Sequence, residues 1–308
     1  MVRILSSICL LAHLVTGSHA AAAPVNAATL TTFHRRRPTT SMLAPAAAAA
    51  LNLRGGAGPI DVTTAARATN AAKAFTYIAL FHGVFSTLAP GPNLNLYNGN
   101  KGTDQNKILM QRMAMALLGI GTIGYSCILK NHGVDHAMML VCLTWAAAIF
   151  QTIVNYPAGV GPGKEGDIVN FLATSITAFS IHQGLNWKAT AIKAISVYTT
   201  VGGATCCLLP SDTAAKVWKL ENADNCDKFL LTFGGYMLLA LGVAECTLAW
   251  NKGTATEAIG RFTLVLALGL VKSFLVTKEF DLMPDMNLPM NYGWLAINSV
   301  IAASILIK

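Results

Sequence analysis
Eight apolar runs, each near the ~20 residues that a helix needs to cross a bilayer, occupy most of the chain beyond residue 71. They lie at 72–89, 108–129, 137–155, 168–187, 192–209, 229–250, 258–276 and 289–307. In hydrocarbon every backbone N–H and C=O must be satisfied within the chain, so only helices and closed barrels span. A barrel would show short alternating segments, whereas these runs are continuously apolar. Helices follow. With 54% hydrophobic and 12% charged residues and a mean hydropathy of +0.51, the chain has too few charges to coat a soluble core of this size. The expected fold class is an all-α integral membrane protein.

Self-similarity sets the expected arrangement. Shifting 107–121 (KILMQRMAMALLGIG) by 121 residues gives 228–242 (KFLLTFGGYMLLALG), in which Lys107/Lys228, Leu109/Leu230, Leu117/Leu238, Leu118/Leu239 and Gly121/Gly242 coincide. The same ungapped shift pairs Tyr77 with Tyr198, Ala146 with Ala267, Asn170 with Asn291 and Ile176 with Ile297. It lays every later apolar run on an earlier one. The chain therefore reads as two four-helix membrane repeats, 72–187 and 192–308, with eight transmembrane helices. Four crossings per repeat bring both copies in from the same face, so the repeats are parallel and their axis lies along the membrane normal. Lys and Arg divide evenly between the two sides, so the positive-inside rule gives no orientation.

The net charge of +8 misleads about partners. Arg3, Arg35, Arg36, Arg37 and Arg54 all precede the first acid, Asp61, which leaves 17 basic against 14 acidic residues in the rest. No basic face is concentrated in the body, which excludes nucleic acid as a partner. The seven cysteines show no CxxC spacing, and most sit in apolar runs as small helix side chains. There is no Walker loop, GxSxG or HExxH. His132 and His136 have i,i+4 spacing but lie in a polar loop, and no metal site is expected.

Residues 1–20 have the form of a signal peptide: Arg3, an apolar stretch and a small-x-small site at Ser18-His19-Ala20. Residues 21–60 are rich in Ala, Thr and Pro, carry Arg35-Arg36-Arg37 and lack acids, which is transit-peptide composition. Together with Leu53-Arg54-Gly55-Gly56-Ala57, this N-terminus resembles the bipartite presequence of nucleus-encoded plastid proteins in algae with secondary plastids. The resemblance implies a plastid membrane, with a secretory-pathway or plasma membrane as the alternative. The membrane body resembles no named functional family.

Ionisable and amide groups within apolar runs are the candidate site residues, because burying them in lipid is costly. Glu245 and Arg261 fall at similar depth on consecutive helices and are expected to pair. Arg112 and Lys272 lie near helix ends, where long side chains reach for headgroups. Asn170 and Asn291 correspond under the 121-residue shift, and His82 and His182 complete the polar set. The bland alternatives are interhelical hydrogen bonds and charge neutralisation. No catalytic residue and no specific cofactor emerges. The expected function is non-enzymatic organisation of lipid, pigment or partner membrane proteins. A small-solute transporter with its site between the repeats is the alternative, and a membrane enzyme acting on a lipid or quinone is the third reading. A carrier needs a polar mid-membrane cavity, an enzyme needs converging titratable groups, and a scaffold needs a dry interface of small residues.

Overall fold
A computed structural model describes residues 62–98, 102–155, 163–220, 222–283 and 286–307. The expected signal and transit segments lie outside the described residues. Ten α-helices follow in order: α1 (Val62–Leu88), α2 (Pro90–Asn98), α3 (Asp104–Gly124), α4 (Val134–Asn155), α5 (Gly163–His182), α6 (Lys188–Leu208), α7 (Ser211–Val217), α8 (Asn225–Ala249), α9 (Ala255–Leu275) and α10 (Leu288–Leu306). A π-helical turn, Tyr125–Leu129, extends α3, and no strand occurs among the described residues. Among the described residues, five helices are long and apolar enough to cross a membrane: Asp104–Leu129, Val134–Asn155, Lys188–Leu208, Asn225–Ala249 and Ala255–Leu275. The described part of the chain is thus all-helical and has the makings of a multi-pass membrane protein. The helices α1, α5 and α10 are comparable in length but are not among these five. Their sequences include Arg67 and Lys73, Glu165 and Asp167, and Pro289, Asn291 and Asn298 respectively.

Two helices begin with the same device. Thr103 caps α3 and exchanges hydrogen bonds with Asn106 in a capping box. Asp224 caps α8 and does the same with Asp227. Positions 103 and 224, and 106 and 227, are each 121 residues apart. The two boxes also bond to one another: Asn106 Nδ2 donates to Asp227 Oδ1 at 2.6 Å, and Gln105 Nε2 to Asp227 Oδ2 at 2.6 Å. One heptad further along, Gly234 faces Met113, at 3.6 Å from where a Cβ would sit. A further turn or two on, Gly119 faces Leu241, with Leu241 Cδ2 only 2.7 Å from such a Cβ. The two helices therefore run side by side in the same direction, meeting every seven residues as in a left-handed helix pair. Met110, Met113 and Met115 fill the uneven space around the seam.

Around this pair the other helices take up matching positions. Helix α4 buries Ala137, Met138, Met139, Val141, Cys142, Trp145, Ala146, Ala148, Ile149 and Thr152. Each recurs 121 residues later as a buried position of α9, from Ala258 to Ser273. Helices α1 and α6 agree at a spacing of 120 instead. Ala72, Phe75, Thr76, Ala79, Gly83, Ser86 and Thr87 correspond to Ile192, Ile195, Ser196, Thr199, Gly203, Cys206 and Cys207, all buried. The packing register therefore sets Tyr77 against Val197, not against Tyr198 as the ungapped shift had it. One extra residue falls between α6 and α8, and Pro90 and Pro210 still keep the 120 spacing.

Glycines permit the close approach of α6 to α8. A Cβ on Gly203 would lie 2.2 Å from the Leu239 backbone nitrogen, and one on Gly242 would lie 2.5 Å from that of Thr200. In lipid, where apolar burial gives helices little reason to associate, such contacts carry the packing. The neighbouring Gly202 faces open space. Replacing Gly203 with Leu is expected to cost about 3 kcal/mol or more, because backbone rather than a flexible side chain must move. Gly202→Ala should be neutral or stabilise by up to about 1 kcal/mol. Thermal unfolding of the two variants in detergent checks the contrast.

Candidate functional site
Most candidate residues fall into two corners, while Glu245, Arg261 and His182 lie outside them. The first corner is formed where α1, α2 and α10 meet the α3–α8 pair. His82 stands about two turns before the end of α1, and its ring centroid lies 5.0 Å from Trp294 and 5.4 Å from Tyr97. Trp294 Nε1 donates to Tyr97 Oη at 2.6 Å, tying α10 to α2. Burial pushes the Tyr97 hydroxyl above its ordinary pKa, against which the Trp294 hydrogen bond works. Asn291 uses its amide on its own helix, donating to the Asn287 carbonyl at 3.0 Å. A cavity of about 20 Å³, lined by His82, Tyr97, Met113, Phe233, Asn291 and Trp294 among others, is what remains between them. That is about one water molecule. The corner is an aromatic plug with room for no solute.

The second corner lies between α3, α5 and α6. Arg112 Nη2 meets Asp167 Oδ1 at 2.5 Å, and both side chains are largely buried. Asp167 and Asn170 are three residues apart and share a face of α5. Tyr198, from α6, donates its hydroxyl to Asn170 Oδ1 at 2.5 Å. Arg112 does not extend to headgroups as its position near a helix end suggested. A carboxylate one helix away holds it instead, and that carboxylate would be costly to bury alone. At a spacing of 121, Arg112 corresponds to Phe233 and Asn170 to Asn291. The two corners thus occupy corresponding places, one lined with aromatics and the other with an ion pair. Asn170 and Asn291 are consequently not brought together.

Glu245 does not pair with Arg261. Arg261 turns to Glu257 on its own helix, Nη2 to Oε1 at 2.5 Å, and lies 3.4 Å from Thr247 Oγ1. The i,i+4 acid is closer and half-exposed, so neither charge leaves water completely. Glu245 is 1% exposed and hydrogen-bonds with Thr199 of α6. Its Oε2 has no partner among the described residues. The position corresponding to Glu245 at 121 is Gly124, against which Thr76 packs.

The remaining polar groups stand apart. His182 is exposed at the end of α5. Lys272 donates to Tyr236 Oη at 2.8 Å and lies 3.7 Å from Glu279, so it too has protein partners while staying partly exposed. The His132 and His136 rings are 4.3 Å apart, and His136 Nδ1 is 2.9 Å from Ser126 Oγ. Among the described residues no three His, Cys, Asp or Glu side chains are grouped to hold a metal. Sequence reasoning did not single out Asp167 or Tyr198. Asp167 sits at the edge of an apolar run and reads there as a loop acid, and Tyr198 lies inside a run, where it served only as the counterpart of Tyr77. An asparagine three residues after an aspartate, one helical face, was the available signal.

No protein-family model matches this chain, and neither does any curated protein or solved structure compared with it.

Removing Arg112 alone would leave Asp167 buried without its cation. Arg112→Leu should destabilise by about 3–5 kcal/mol. The double variant Arg112→Leu/Asp167→Leu should recover much of that loss, since apolar replacement of a whole buried pair is often neutral. Unfolding midpoints in detergent give both values; equal loss in single and double variants would show that the two side chains do not act as a pair.

Proposed function
We propose that this chain is a non-enzymatic multi-pass membrane protein that organises lipid, pigment or partner proteins in a plastid membrane. In this reading it consists of two parallel four-helix repeats, α1, α3, α4 and α5 in one and α6, α8, α9 and α10 in the other. All eight span the bilayer. The observation that carries the proposal is the filled seam: at the aromatic corner beside the α3–α8 pair, the space left is about one water in size. A carrier moving a solute between its repeats would need a polar chamber at that level.

Duplication is supported by the recurring burial of α4 on α9 and by capping boxes that meet their own counterparts. Eight spans are supported by the outer faces of the three remaining long helices. On α5, Val169, Leu172, Ile176 and Phe179 form an exposed apolar stripe. On α1, Tyr77, Phe81 and Val84 do so, and on α10, Ile297 and Val300. Uncovered stripes of this length suit hydrocarbon. Their hydroxyls are also satisfied internally: Thr76, Thr87, Thr174 and Thr177 each donate to a carbonyl four residues back. Hydropathy counts such residues as more polar than they are within a helix. The plastid address is supported by the composition of residues 1–60 alone.

One feature favours the transporter reading, namely the Arg112–Asp167 pair with Asn170 and Tyr198 between α3, α5 and α6. The two readings separate in one preparation. Purification in mild detergent followed by mass spectrometry is expected to yield stoichiometric lipid, pigment or protein companions. In proteoliposomes the same protein is expected to show no solute counterflow. Counterflow that disappears in Arg112→Leu while the protein stays folded would replace the organiser reading with the carrier one.

A further inference from the structure
The outer face of α6 carries a groove of about 620 Å³, lined by Lys193, Ala194, Val197, Tyr198, Val201 and Trp250. Ala194, Val197 and Val201 follow one another at i, i+3 and i+7, so they form one stripe along the helix. The valines are uncovered, Val197 at 45% and Val201 at 58% exposure. Lys193 stands at the end of this stripe nearest the start of α6. Its Nζ lies 4.7 Å from the centroid of the Trp250 ring, which in turn donates from Nε1 to Ser196 Oγ at 3.3 Å. Trp250 follows directly on α8, where an amphipathic ring marks the boundary between headgroups and acyl chains.

No carboxylate among the described residues balances the charge at this site. Lys188, a turn and a half away, is bridged to Asp135 at 2.6 Å. Lys193 has no carboxylate within ion-pair distance among the described residues, and no acid lines the groove. An unbalanced cation at headgroup level, beside an interfacial tryptophan and above an apolar stripe, is complementary to one kind of molecule. We propose that the groove holds one anionic glycerolipid, its headgroup on Lys193 and an acyl chain along Ala194, Val197 and Val201.

The corresponding face of α1 is expected not to bind in this way. Lys73 stands 120 residues before Lys193, but Tyr77 and Phe81 replace Val197 and Val201. Bulky rings fill the place where the chain would lie. The lipid would therefore occupy one half of the molecule only.

The proposal rests on the membrane reading above and deepens it by naming a lipid class and a site. Purified full-length protein in detergent, exchanged into an equal mixture of phosphatidylglycerol and phosphatidylcholine, is examined by native mass spectrometry. One phosphatidylglycerol adduct is expected to survive at higher collision energy than any phosphatidylcholine adduct. Lys193→Gln should weaken that adduct about fivefold, the share of one surface cation. Lys193→Arg should keep it, and Lys188→Gln should leave it unchanged. Val197→Tyr/Val201→Phe, which copies the α1 face, should abolish it. Equal retention of both lipids by the wild type, or equal loss from Lys188→Gln and Lys193→Gln, overturns the site. So does an adduct that survives the double aromatic substitution. A protein that stays dispersed without detergent would instead defeat the membrane reading itself.

Discussion

The α3–α8 pair is the constraint from which the rest of the arrangement follows. Two helices of similar sequence lie side by side, and positions 121 residues apart meet at Asn106 with Asp227 and at Met113 with Gly234. A residue can meet its own counterpart only on a twofold axis. The direction of the axis then follows from the capping boxes, since both helix starts lie at one end. Once this pair is placed, α4 and α9 cover equivalent faces, and so do α1 and α6. The pair also has an uncommon polar start for an apolar seam. Asp227 accepts from Gln105 and Asn106 while closing its own helix cap, so burying it leaves few carboxylate lone pairs unsatisfied.

Approximate symmetry makes its own departures informative. Large side chains on one helix meet small ones on the other: Met113 meets Gly234, and Leu241 meets Gly119. Placing a large side chain against a glycine lets the two backbones approach closely at these points. The same divergence separates the two outer corners. Phe233 in one and Arg112 in the other occupy matching positions, so an aromatic plug stands where its counterpart carries an ion pair. Glu245 is a further departure, a buried carboxyl where the other half has Gly124.

How much of this was legible beforehand can be traced residue by residue. The apolar runs gave the helices, because a run that long and that uniform has no other way to satisfy its backbone. The shift of 121 picked out the two central helices and the correspondence of Asn170 with Asn291. It misplaced α1 against α6 by one residue, since a single insertion in a loop is invisible in an ungapped comparison. Pairing Glu245 with Arg261 from depth alone also failed. Depth gives the level of a side chain along the membrane normal but not its direction around the helix, and a residue four positions away on the same helix can satisfy it first.

Composition and periodicity therefore determined that the described chain is helical and suited to lipid, and they pointed to a spacing near 121. Those properties are local, or depend on comparing one stretch with another. The tertiary structure decided which polar groups touch: Arg112 with Asp167, Tyr198 with Asn170, Trp294 with Tyr97, and Glu245 with no cation among the described residues. It also decided that the space at the aromatic corner is closed. Contacts between helices depend on rotation about each axis and on the depth of each crossing. Both are set by the sum of many small packing terms across the molecule, which no single segment encodes.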